Sequence, residues 1–377
     1  MVRIVCVFCL LVVLLIPSIV VFAEDETQIP EEYEDMIDSL PGDIADMLPD
    51  EIFSDNVDDI VKGANELTSW NYIFDTVFEI LGLNIRTIIK SIATISALLV
   101  VCSLLGMLKN SVKNLATEHT INLVSTAAIA AVVLQISREP LERAILLLEE
   151  IQSFTNIASP VICSMYAMGG NLTSALVHNY GLIVFLSILE NICTISLESI
   201  LGVCMGLALA SSFIGESNLL PLSNAVKKIF TFFVGMVMLI FTTVISTQTL
   251  LASKADTLST KTAKMLATQI IPLVGGTIGE TLRTAGASIE YLRSNIGVIL
   301  IIILVLMVLP TFISIALYRL GFMISNAIAG LLGCEREGRM LLEVSSIYGY
   351  VLAIISISAV ALLLLITVFA KCSSPLM

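Results

Sequence analysis

The sequence predicts an all-α, polytopic integral membrane protein, and three observations carry that reading. Of 377 residues, 57% are hydrophobic and only 14% charged, with a mean hydropathy of +0.97. A soluble domain so poor in charge could not furnish its own polar shell, which excludes the ordinary soluble enzyme, nucleic-acid binder or disordered chain. Apolar runs approaching the ~20 residues needed to cross a hydrocarbon core recur from residue 91 to residue 370. The acidic residues, finally, are concentrated in one short stretch. Between Glu24 and Glu66 there are sixteen Asp or Glu and a single basic residue, Lys62. The rest of the chain keeps 16 of the 32 acidic residues and 18 of the 19 basic ones, a balance of +2 against −13 for the whole.

The first element, residues 1–23, reads as a signal peptide. Arg3 gives a positive start, Ile4 to Ile16 is unbroken apolar sequence, and Pro17 follows. Val21-Phe22-Ala23 then offers a cleavage site just before Glu24-Asp25-Glu26. The alternative is an uncleaved anchor, since Ile4 to Phe22 is nearly long enough to span. Either way the acidic segment, residues 24–85, is expected on the extracytoplasmic side. Its charge repels anionic lipid and nucleic acid, so no nucleic-acid partner is expected. Met36, Ile37 and Leu40, then Ile44, Met47 and Leu48, then Ile52, Phe53, Val57, Ile60 and Val61 recur every three or four residues. That spacing predicts short amphipathic helices broken at Pro30, Pro41 and Pro49. Trp70, Tyr72, Phe74 and Phe78 form an aromatic cluster of the kind found at membrane–water boundaries. The segment reads as a helical spacer or as a docking surface for a partner.

The polytopic domain, residues 86–371, is expected to hold six to eight transmembrane or re-entrant helices plus interfacial amphipathic ones. Ser91–Leu108, Thr120–Ile136, Ile229–Ser246, Ile296–Tyr318 and Ile347–Ala370 are long apolar runs. Ile157–Met168, Met265–Ile278 and Leu320–Leu332 are shorter, and Leu176–Phe213 is long enough to be read as a bent pair. With no water in the hydrocarbon to satisfy backbone groups, these segments must be helices. Three stretches between them carry an apolar stripe opposite charges: Leu141 to Ile151, Leu251 to Lys261, and Glu280 to Arg293. They are read as surface-lying or connector helices. Lys and Arg flank both ends of several spans, so positive charge alone does not orient the domain.

Cysteines at 6, 9, 102, 163, 193, 204, 334 and 372 show no CxxC pairing and fall mostly in apolar runs. The two histidines, His119 and His178, are far apart. No metal site or cofactor is therefore expected. A phosphate loop, an H-E-x-x-H motif and a nucleophile elbow are all missing from the sequence, so an enzyme is not expected.

Two features within the apolar sequence stand out. On a helix, Tyr180, Ser187, Asn191, Thr194 and Glu198 lie within about 40° of the first, with Glu190 on the flank of that face. A polar face ending in a carboxylate at membrane depth is a candidate functional surface; its structural alternative is hydrogen bonding between helices. Pro272, Gly275 and Gly276 form a candidate helix break, because proline removes a donor and glycine permits unusual dihedrals. The alternative there is a simple loop.

Just upstream stands Thr262-Ala263-Lys264, followed by Ile271-Pro272-Leu273-Val274-Gly275. With Gly169-Gly170, Leu222, Val244-Ile245-Ser246 and Asn295-Ile296-Gly297, this succession resembles the stage III sporulation protein AE family across roughly residues 85–370. The resemblance implies a sporulation protein in the mother-cell membrane around the forespore. It implies assembly with other stage III sporulation membrane proteins, and with a forespore membrane partner across the intermembrane space, into a trans-envelope channel or secretion-like complex. It carries over no catalytic residue. A non-permeating scaffold for ring-forming partners and an independent transporter stand as alternatives.

Overall fold

The computed structural model describes residues 30–40, 42–45, 47–54, 57–67, 69–111, 115–169, 173, 183–214, 220–270 and 275–371. The signal-peptide residues 1–23 lie outside them. Every element among the described residues is helical. In chain order these are α1 (Glu31–Asp38), α2 (Gly42–Ala45), a 3-10 turn (Asp50–Phe53), α3 (Val57–Leu67), α4 (Trp70–Ser111) and α5 (Leu115–Met168). They continue with α6 (Ile183–Ile214), α7 (Leu220–Ile270), α8 (Gly275–Leu331) and α9 (Glu335–Lys371). Five helical segments among the described residues are long and apolar enough to cross a membrane: Ile85–Met107, Ile183–Ser212, Pro221–Ile245, Leu292–Leu331 and Glu335–Ala370.

The centre of the molecule is the antiparallel hairpin of α8 and α9. Of its two apolar windows 67% and 72% are buried, against 17–39% for the other three, so the hairpin is the core on which they pack. A Schellman arrangement closes it: Cys334 N–H donates to the Ala329 carbonyl (2.9 Å) and Gly333 N–H to that of Gly330 (3.4 Å). Gly333 takes φ +72°, the left-handed conformation in which glycine is favoured at a helix end. At the other end the two helices nearly touch. A Cβ on Gly297 would fall 2.5 Å from Ala370 Cβ, so only a hydrogen fits there. Tyr318, Phe322 and Tyr348 pack ring against ring between them.

Around this hairpin α4 borders the turn end, where Ser103 donates to the Leu332 carbonyl and Gly321 faces Ile88 and Ile92. α5 and α6 pack on each other and on the hairpin, and α7 packs on α6 and α9.

The structure corrects the segmentation at several points. α5 is one 54-residue helix that joins 120–136, the amphipathic stretch 141–151 and 157–168, with Pro140 and Pro160 inside it. Neighbouring helices can re-satisfy the backbone groups that such prolines free. The surface stretches at 251–261 and 282–293 are likewise continuous with α7 and α8. Of the predicted bent pair at 176–213, the described residues 183–213 lie in the single 32-residue helix α6. Helix α4, Trp70–Ser111, spans residues 85 and 86, where the sequence reading joins the acidic segment to the polytopic domain.

The acidic segment folds back on the bundle. Tyr33, Met36, Ile52 and Ile60 are among its buried residues, with α1 packed against α5 and α3 against α8. Tyr33 donates to the Ile52 carbonyl (3.2 Å) and Tyr72 to that of Met47. Burial pushes both phenol pKa values above the ordinary 10, so both keep the proton they donate.

Candidate functional site: a buried polar line between the helices

The inner face of α6 alternates large apolar residues with polar ones. Leu186, Leu189, Leu197 and Ile200 are buried together with Glu190, Cys193, Ser196 and Cys204. Glu190 is fully buried, and its Oε1 lies 2.8 Å from Thr155 Oγ1 on α5. Thr155 Oγ1 also lies 2.9 Å from the Ile151 carbonyl. A threonine hydroxyl has one proton and cannot donate to both acceptors. Both bonds form at once when Glu190 is the carboxylic acid and donates to Thr155, which then donates to Ile151.

Further along the interior, Lys227 on α7 meets Glu343 on α9. Its Nζ is 3.3 Å from Glu343 Oε2 and 2.7 Å from Ser346 Oγ, while Ser223 Oγ donates to the same carboxylate oxygen at 3.1 Å. Both charged side chains are nearly inaccessible, at 7% and 2%. Near the open end of the hairpin Arg293 is fully buried, 5.7 Å from the Tyr166 ring centroid, within cation–π range. Tyr166 in turn meets Phe369 edge to face. Thr126 donates to Glu337 at 3.1 Å near the turn. Charges buried in apolar surroundings are costly unless paired. Lys227 and Glu343 pair across α7 and α9, whereas the Arg293 guanidinium nitrogens have no hydrogen-bond partner among the described residues.

The predicted polar face takes a different direction. Tyr180 lies outside the described residues. Ser187 and Thr194 are half-buried, whereas Asn191 and Glu198 are exposed on the outer side of α6 among Val184, Ile188 and Ile195. Asn191 Nδ2 donates to the Ser187 carbonyl one turn back, at 2.8 Å. Glu190, on the flank of that face, is the member turned inward.

Thr262, Ala263 and Lys264 lie in α7. α7 ends at Ile270 and α8 begins with Gly275 and Gly276, while Ile271 and Pro272 fall outside the described residues. Sequence reasoning missed Lys227, Arg293, Glu337 and Glu343. A charge bordering or interrupting an apolar run was the available signal: Lys227 and Lys228 precede Ile229–Ser246, and Arg293 precedes Ile296. Among the described residues no group of three or more His, Cys, Asp or Glu is placed to hold a metal ion.

The family model for stage III sporulation protein AE matches residues 52–373, most of the chain and all of the helical bundle. The chain belongs to that family. No curated protein and no solved structure matches it significantly. Family membership and five apolar helices together point to a membrane protein in a sporulation setting.

Proposed function

We propose that the chain is a membrane-embedded component of the complex that joins the mother cell to the forespore, and that the outer polar face of α6 meets another subunit there. The observation that carries this reading is the placement of Asn191 and Glu198. Both are exposed on an apolar helix whose opposite face is packed against the bundle. A carboxylate left in lipid costs roughly 2.5 kcal/mol or more. Water or a protein partner removes that cost, and a path formed between subunits supplies both. In this reading the buried polar line is internal cement, and passage runs along the outside of α6.

The test is a pair of substitutions assayed for spore yield and protein level. Glu198→Leu is expected to lower spore yield while the protein accumulates normally, and Glu198→Gln to do so more mildly. If both variants accumulate and sporulate like wild type, the face has no part in transport and the chain acts as a scaffold.

A further inference from the structure

A half-open cavity of about 300 Å³ lies where α4, α5 and α8 come together, away from the buried polar line. Two prolines, Pro140 and Pro310, and Ile315 are its apolar lining. Its polar contribution is mixed in sign. Glu139 and Arg143 line it from α5, and hydroxyls come from Thr87 on α4 and from Thr311, Ser314 and Tyr318 on α8.

The two charges are the informative pair. They stand four residues apart on one helix, the spacing at which Glu and Arg usually meet. The neighbouring Arg138 and Glu142 do so at 2.7 Å. Glu139 and Arg143 form no ion pair with each other, and both side chains are exposed. One anion and one cation, facing the same small space and unspent on each other, complement a ligand that carries both charges. The volume is at the lower end for a small-molecule pocket, which suits a compact group.

The surroundings narrow the source. Arg86, Lys90, Arg138, Glu142 and Arg319 stand within a few residues of the lining, so the cavity sits in a charged girdle. Exposed apolar side chains begin immediately beside it: Ile85 and Ile89 flank Thr87, and Leu146 lies one turn beyond Arg143. A charged ring against exposed apolar surface is the level at which lipid headgroups lie.

We propose that this cavity binds a phosphoethanolamine group, presented as the headgroup of a membrane phospholipid. The guanidinium of Arg143 donates to the phosphate, for which its planar fork is suited. The ammonium donates to Glu139, and the hydroxyls of Thr311 and Ser314 complete the phosphate's hydrogen bonds. A purely anionic headgroup would meet repulsion from Glu139, and a trimethylated one would have no N–H to give it. The proposal rests on the membrane reading of the chain, not on its place in a complex.

The test uses the full-length protein in detergent micelles, with bound lipid read by native mass spectrometry after adding phosphatidylethanolamine, phosphatidylglycerol or phosphatidylcholine. Phosphatidylethanolamine is expected to be retained in preference to the other two. Arg143→Ala and Glu139→Gln are each expected to weaken its retention about tenfold, the loss of one charge-assisted hydrogen bond. Glu139→Gln is also expected to raise phosphatidylglycerol retention, and Arg138→Ala to change nothing. Equal retention of the three lipids, or unchanged retention in both pocket variants, overturns the proposal. If free phosphoethanolamine raises the melting temperature as much as the lipid does, the source is solution and the lipid assignment is overturned. Extraction of the protein from membranes by alkaline carbonate would defeat the membrane reading itself. Protein that resists extraction but shows no headgroup preference defeats this proposal alone.

Discussion

Thr155 has a single proton to offer two acceptors, the Ile151 carbonyl and Glu190 Oε1, and the conflict is resolved if Glu190 is the carboxylic acid and donates in its turn. That arrangement makes a prediction of both sign and size. Thr155→Val takes away Glu190's partner and leaves a buried carboxyl unsatisfied, so the melting temperature in detergent should fall by the equivalent of about 1–3 kcal/mol. Glu190→Gln keeps a donor for Thr155 and should be nearly neutral. Combining Thr155→Val with Glu190→Leu replaces both polar groups by apolar ones and should recover most of the loss. A double variant no more stable than Thr155→Val alone would show that the contact is not a closed pair. At this scale the sequence was only partly legible. Helical spacing placed Glu190 on the flank of a polar face, but which side of α6 is covered depends on α5, and the two partners are 35 residues apart. Lys227 and Glu343, 116 residues apart, illustrate the same difficulty, because neither looks buried until α7 and α9 are seen together.

Hydropathy located the apolar runs well, yet it did not locate the helix ends. Charged stretches such as 138–143 divide a hydropathy profile, but a helix continues through them as long as its hydrogen bonds do, and α5 does. The hairpin end was the opposite case, since Gly333 supplies a chemical stop and α8 ends beside it. Gly297 marks where the elements are fitted most tightly. Gly297→Ala must push α8 and α9 apart against Ala370 Cβ and Cα, and overpacking of this kind costs about 1–3 kcal/mol. Gly235→Ala on α7 meets nothing within 4 Å and serves as the matched control. The expectation is a lower melting temperature and lower steady-state level for Gly297→Ala, with Gly235→Ala near wild type. Equal behaviour of the two would mean that the helices do not approach so closely at Gly297.

For the whole molecule, the acidic segment is the feature whose location orders the rest. Its composition predicted short helices outside the membrane, and helices are what the described residues form. What composition could not reveal is that α1 and α3 dock onto α5 and α8, because that contact depends on the apolar sides of Met36, Ile52 and Ile60 finding a surface far along the chain. Once docked, the segment reports which side of the membrane the adjoining part of the bundle occupies. The chain makes this measurable: there is no cysteine between residues 10 and 101, and Cys102, Cys193, Cys204 and Cys334 are buried. Glu51 is exposed in the 3-10 turn, so its replacement is expected to leave the buried Ile52 beside it in place. Glu51→Cys in the full-length protein, made in non-sporulating cells whose outer membrane face is open to the medium and treated intact with a maleimide that cannot cross membranes, is expected to label at once. The wild-type protein is expected to label weakly. A Glu51→Cys protein that labels only after the cells are permeabilised would place the segment in the cytoplasm. The docked surface of α5 and α8 would then belong on that side with it, and the stretch at residues 1–23 could not be acting as an export signal.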